Sequence, residues 1–72
     1  MAFDRIRALR EDHDLRQVDV ANMLKMSQTG YSKYETGEND IPTAVLIVLA
    51  SFYHVSVDYL LGLTNNPTPY SD

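Results

Sequence analysis

Cysteine is absent from the chain, which excludes disulfides, thiolate metal ligands and a cysteine nucleophile, and suits a reducing cytoplasm. Long apolar runs are missing as well. The longest, Ala44 to Ala50, falls far short of the roughly 20 residues that a membrane-spanning helix needs. The opening Met-Ala-Phe-Asp-Arg has no apolar signal-peptide core, so a soluble, cytoplasmic protein with no membrane partner is expected. Positive charge is scarce and one-sided. The net charge is −4; all six basic residues (Arg5, Arg7, Arg10, Arg16, Lys25, Lys33) lie in residues 1–37, beside six acids, whereas residues 38–72 carry four acids and no Lys or Arg. With 72 residues there is room for one domain and a modest core, so folding rests on packed helices and gains from any partner that adds surface.

Reactive constellations are also lacking. His13 and His54 stand alone, and no His, Asp or Glu group has the spacing of metal ligands. His54 falls where a helix should end, which suits a capping role. Ser27, Ser32, Ser51 and Ser56 have no evident base, and Gly30 and Gly37 form no phosphate-cradling loop. These absences argue against an enzyme, a cofactor and a small-molecule ligand.

What the chain does contain is concentrated between Gln17 and Glu35. Val20, Ala21 and Leu24 place one apolar stripe on a short helix, and Tyr31 and Tyr34 mark the inner side of a second. Between them Ser27 is a suitable N-cap, and Met26 stands where it can staple onto Tyr31, four positions into the helix. Ala21 is small where the two helices would cross. Two helices joined by so short a turn leave the second projecting, shaped for a major groove of DNA. Because few cations are available, weak nonspecific binding and a shallow salt dependence are expected.

The remaining pattern predicts an all-α chain of five helices. The first runs from Phe3 or Asp4 to Asp12 or His13, with Phe3, Ile6 and Leu9 inward and Arg7 and Glu11 paired outside. The third helix stops at Gly37, and residues 38–42 form a loop. The fourth opens at Pro42 or Thr43 and reaches Tyr53 or His54; the fifth, Val57 to Leu61, is capped by Ser56, stapled by Val55 and Leu60, and stopped by Gly62. Residues 1–64 then form the domain, and residues 65–72, with turn and linker composition, a flexible C-terminal tail.

From Ile6 to Thr64 the chain resembles the phage repressor and Cro class of helix-turn-helix regulators, the XRE family. The pieces that carry the resemblance are Ile6-Arg-Ala-Leu-Arg10, Leu15-Arg-Gln17, Ala21-Asn-Met-Leu24, Ser27, Ser32-Lys-Tyr-Glu35, Gly37, Pro42, Leu46-Ile-Val-Leu-Ala50 and Val55-Ser-Val-Asp-Tyr-Leu-Leu-Gly62. The resemblance implies a compact five-helix, lambda-repressor-like domain that binds a double-stranded operator, usually as a homodimer, and controls transcription, a repressor being expected. It places Gln28, Thr29, Ser32 and Lys33 on helix 28–36 toward base edges. Gln28 suits the adenine N6/N7 pair, Thr29 the thymine methyl, and Lys33 guanine or a phosphate. Gln17, with the free N–H groups at the start of helix 2, is implied to hold a phosphate, and Arg16, Gly30, Thr36 and Asn39 complete the backbone-facing set. Arg10 and Glu35 are implied to pair and so to clamp the reading helix, a role favoured over phosphate binding by Arg10.

Several positions depart from the family pattern. Lys25 stands where the family prefers Gly, at a steric cost near ~1–2 kcal/mol if its φ is positive. Arg16 replaces the usual Ser or Thr cap, with Asp19 in partial compensation. Tyr31 replaces a branched aliphatic and brings a hydroxyl that needs a partner. Glu38 and Asp40 occupy a loop where relatives often place cations. On the fourth helix, Leu46, Leu49, Ala50 and Tyr53 are the core positions by family pattern, while Ile47 and Val48 face outward; with Ser51 and Tyr59 they are candidates for a dimer interface. Two alternatives stay open: cover of Ile47 and Val48 by the tail through Tyr70, and, for the whole chain, a protein-interaction module of the same fold with weak or lost DNA binding.

Overall fold

A computed structural model of the chain describes residues 4–68. Among these the regular structure is entirely helical: α1 (Asp4–Asp12), α2 (Gln17–Met23), α3 (Gln28–Thr36), α4 (Thr43–Tyr53) and α5 (Val57–Leu60). Phe3, expected on the inner face of α1, lies outside the described residues.

Each boundary has a local cause. At α2 the N-cap is Arg16, whose side chain accepts nothing; instead the Asp19 carboxylate accepts from the Arg16 backbone N–H at 2.8 Å and from its guanidinium at 3.0 and 3.2 Å. The compensation expected of Asp19 thus works through the reverse half of a capping box. At α3 the Ser27 hydroxyl accepts from the Gly30 N–H at 3.1 Å, and Gly37 closes the helix at φ 82°. Pro42 is the N-cap of α4, so Thr43 is its first helical residue rather than its cap. His54 ends that helix in the left-handed conformation at φ 58°, its N–H returning to the carbonyls of Ala50 and Ser51. The Ser56 hydroxyl accepts from the Tyr59 N–H at 3.0 Å, and α5 ends one residue earlier than expected, at Leu60.

The core joins Ile6 of α1, Val20 and Ala21 of α2, Tyr31 of α3, Leu46, Leu49, Ala50 and Tyr53 of α4, and Val55 and Leu60 around α5. Ile41 joins them from the polar loop before α4, where periodicity offers no cue. α2 and α3 pack on one another through the buried Ala21, and the four-residue connection 24–27 keeps them close. Lys25 in that connection has φ 59°, so a β-carbon stands in the region that glycine tolerates best.

Arg5 ties the first helix to the last. Its guanidinium donates to the carbonyls of Tyr59 (3.1 Å) and Thr64 (2.9 Å) and to Asn65 Oδ1 (2.9 Å), and lies 4.0 Å from the centre of the Tyr59 ring. The Ser56 N–H donates to the Pro67 carbonyl at 3.0 Å. The stretch expected as a flexible tail is therefore anchored at its start, from Asn65 to Pro67. Tyr70, the residue offered as cover for Ile47 and Val48, lies outside the described residues.

Candidate nucleic-acid interface

The exposed side of α3 follows from the burial of its other side. Tyr31 is fully buried and Tyr34 half-buried, their rings edge to face at 6.4 Å between centres. That pins the helix by one edge and turns Gln28, Thr29 and Lys33 to solvent, with Ser32 half-exposed among them. Gly30 has a structural reason to lack a side chain. A β-carbon there would lie 3.1 Å from both Met26 Cε and Ser27 Oγ, pressing on the residues that staple and cap the helix.

Under the C-terminal half of α3 sits a polar clamp. Arg10 Nε and one terminal nitrogen donate to the two carboxylate oxygens of Glu35 at 2.7 and 3.1 Å, and the other terminal nitrogen donates to the Leu15 carbonyl at 2.9 Å. Both side chains are largely sequestered, with 12% of Arg10 and 4% of Glu35 exposed. The fork-to-fork geometry fixes α3 against α1 and engages Nε and both terminal nitrogens of Arg10. Burial alone would raise the Glu35 pKa, but the hydrogen bonds from Arg10 and Gln17 and the adjacent Tyr31 hydroxyl outweigh it and hold the carboxyl below its ordinary range. Desolvation lowers the Arg10 pKa less than the Glu35 hydrogen bond raises it, so the guanidinium is charged throughout.

Gln17 differs from expectation. Its amide nitrogen donates to Glu35 Oε1 at 3.1 Å, so the amide takes part in the clamp while its side chain also lines the groove along α3. The Tyr31 hydroxyl, which needed a partner, lies beside Glu35 without a well-formed hydrogen bond; burial and then the carboxylate push its pKa far up. The Tyr53 hydroxyl is likewise buried without a hydrogen-bond partner among the described residues, and burial pushes its pKa up to about 12.

Gln17, Gln28, Thr29, Ser32, Lys33 and Glu38 line one open groove along α3. The residues expected to meet base edges are therefore brought together, and Glu38 is brought in with them. Of the others, Arg16 is exposed at the N-terminus of α2, and Thr36 and Asn39 are exposed at the far end of α3. There the Thr36 hydroxyl donates to the Lys33 carbonyl at 3.2 Å, as does the Asn39 N–H at the same distance.

On the opposite helices Ile47 and Val48 are 57% and 44% exposed, and Ser51 is exposed beside them. Tyr59 is half-buried beneath Arg5, which ties it to its own chain. Phe52, at 48% exposure, extends the apolar face beyond the residues the sequence singled out; it follows Val48 by four positions, the helical spacing that would have signalled it. Among the described residues no helix is long and apolar enough to cross a membrane, and no group of His, Asp or Glu is arranged to hold a metal.

Comparison with known proteins agrees with this geometry. A family model described as helix-turn-helix matches residues 6–60. Over 69 residues the chain is 39% identical to an uncharacterized HTH-type transcriptional regulator, YobD, of Bacillus subtilis (strain 168), covering 96% of this chain and 62% of that protein. It is 34% identical over 58 residues to the HTH-type transcriptional regulator ImmR of the same organism, covering 81% and 46% respectively. It is 28% identical over 67 residues to antitoxin PezA of Streptococcus pneumoniae serotype 4, covering 93% and 42%. The chain thus spans between 42% and 62% of the length of these relatives. No solved structure matches it. With the match running from α1 into α5 and the clamped, outward-facing α3 at its centre, the chain belongs to the helix-turn-helix family of the XRE type.

Proposed function

We propose that the chain is a sequence-specific, DNA-binding transcriptional regulator that acts in the cytoplasm, lays α3 in the major groove and represses by occupying an operator as a homodimer. The observation that carries this reading is the polar groove of Gln28, Thr29, Ser32 and Lys33 on a helix locked from beneath by Arg10 and Glu35. A bidentate amide at Gln28 suits adenine, the Thr29 methyl suits thymine, and Lys33 suits guanine. Arg16, Thr36 and Asn39, with the N–H groups opening α2, take the flanking phosphates, and Gly30 allows close approach. Two relatives bear the name transcriptional regulator, which supports the same assignment. The role is binding, and no catalysis is ascribed to it.

For the dimer, the uncharged α4 surface of Ile47, Val48 and Ser51, extended by Phe52, is the supporting feature. A two-fold axis there would set two reading helices about 34 Å apart, one turn of the duplex.

The test is a fluorescence-anisotropy titration against duplexes selected from random sequence, at several salt concentrations. Gln28→Ala and Lys33→Ala are each expected to weaken binding to the selected duplex by about tenfold or more, the loss of one base contact. The same apolar face, together with the acidic second half of the chain, favours one second reading, a protein-interaction module. It prevails if no duplex binds in a salt-dependent way while Ile47→Glu abolishes a complex with another protein.

A further inference from the structure

Glu38 is the one groove-lining residue that a DNA-reading surface does not explain. It follows Gly37, where α3 ends in the left-handed turn, and it is exposed. Among the described residues it forms no ion pair, although Lys33 lines the same groove. Among the described residues its carboxylate has one side-chain hydrogen bond, from the Thr36 hydroxyl at 3.5 Å to Oε1, too long to hold it firmly. A carboxylate with no ion-pair partner among the described residues therefore shares the groove with Gln28, Thr29, Ser32 and Lys33.

An ionised carboxylate accepts hydrogen bonds and donates none. Phosphate oxygens, guanine O6 and N7 and thymine O4 are all acceptors, so each repels it; the cytosine amino group is the major-groove donor that glutamate suits best. We propose that Glu38 is a specificity-determining residue of the groove. Its unpaired carboxylate penalises duplexes that bring phosphates or acceptor edges against it and spares those that present a cytosine amino group. This rests on the α3 reading above and adds discrimination by repulsion, which lowers affinity for wrong sequences more than for the right one. It also gives the net negative charge of the chain a local consequence, since the groove combines one Lys with one Glu.

The experiment uses the full chain and its Glu38→Gln variant, each put through selection from random duplexes. Anisotropy titrations follow against the wild-type selected duplex, the same duplex with each cytosine replaced in turn, and an unrelated duplex. Glu38→Gln is expected to raise affinity for the unrelated duplex by about three- to tenfold, as removal of one like charge near phosphate implies. The slope against salt should steepen, by at most about one phosphate equivalent. Affinity for the wild-type duplex should change less, and the preference for cytosine at one position should relax. Asp40→Asn removes the same charge from the same loop outside the groove, and should show a smaller gain. Equal gains from the two variants would mean that net charge alone matters and would overturn the proposal, as would unchanged nonspecific affinity and an unchanged selected sequence in Glu38→Gln. Failure of both proteins to bind any duplex would instead remove the DNA reading, and this inference with it. Because Glu38 is exposed, equal thermal midpoints are expected for the variant and the wild type.

Discussion

The two halves of the molecule share one apolar core and differ in what is added to it. The stretch up to Gly37 carries every Lys and Arg of the chain, and its helices are joined by a buried polar clamp, Arg10 and Gln17 on Glu35. From Glu38 onward there is no Lys or Arg, α4 has no charged residue, and cohesion comes from Leu46, Leu49, Tyr53, Val55 and Leu60. The first half fixes the direction of a helix, for which directional hydrogen bonds are suited; the second supplies the apolar mass on which that helix rests. Arg5 reaches from the first half into the second by hydrogen bonds, and the His13 and Tyr53 rings, 5.2 Å apart, join the halves as well.

Breaking the clamp should have the largest effect. Glu35→Ala strands a buried guanidinium and the Gln17 amide, and a loss of about 3–5 kcal/mol is expected in chemical denaturation, a large share of a small domain's stability. The clamp should also respond to acid. Because the folded-state pKa of Glu35 lies below its ordinary value of 4.5, its contribution is complete above that value and disappears as pH falls through the lower, folded one. Denaturation midpoints measured from pH 7 downward should be flat to about pH 5 and then fall, and in Glu35→Gln that fall should be smaller.

Cutting the bridge between the halves comes next. Arg5→Ala removes three hydrogen bonds and a stacked ring contact, and should cost about 2 kcal/mol while leaving the α3 groove unchanged. Hydrogen exchange should then rise at the Ser56 N–H, which is bonded to Pro67, more than at the N–H groups of α3. A uniform rise would mean that the two halves unfold together and that the distinction between them is one of composition only.

The smallest effect has the opposite sign. Lys25→Gly relieves a positive φ in the turn between α2 and α3 and should stabilise the chain by about 1 kcal/mol, with a small shift in thermal midpoint. No gain would show that the turn relaxes around the lysine.

The sequence announced the helices well because their signals are local. Ser27 and Ser56 as caps, Gly37 and Gly62 as stops, and the apolar stripe of α4 all act within a few residues. The grouping of Gln28, Thr29, Ser32 and Lys33 was implied by the family resemblance; the inward Tyr31 and Tyr34 account for the outward direction of Thr29, Ser32 and Lys33, and Gln28 lies at the edge of that face. The roles of Arg5, Ile41, Gln17 and Phe52 were harder to read. Three of these depend on partners far along the chain, as in the 54 residues between Arg5 and Tyr59, and no periodicity reports such a contact; Phe52 was visible at helical spacing and passed over.

By itself, then, the order of residues determined where helices begin and end and which of their faces are apolar, since caps, stops and periodicity are properties of neighbours. Only the tertiary structure decided that the Gln17 amide reaches Glu35, that Arg5 holds the chain beyond α5, and that Glu38 shares a groove with Gln28, Thr29, Ser32 and Lys33. Each of those outcomes depends on the distance between side chains from separate elements, which is fixed when the core packs.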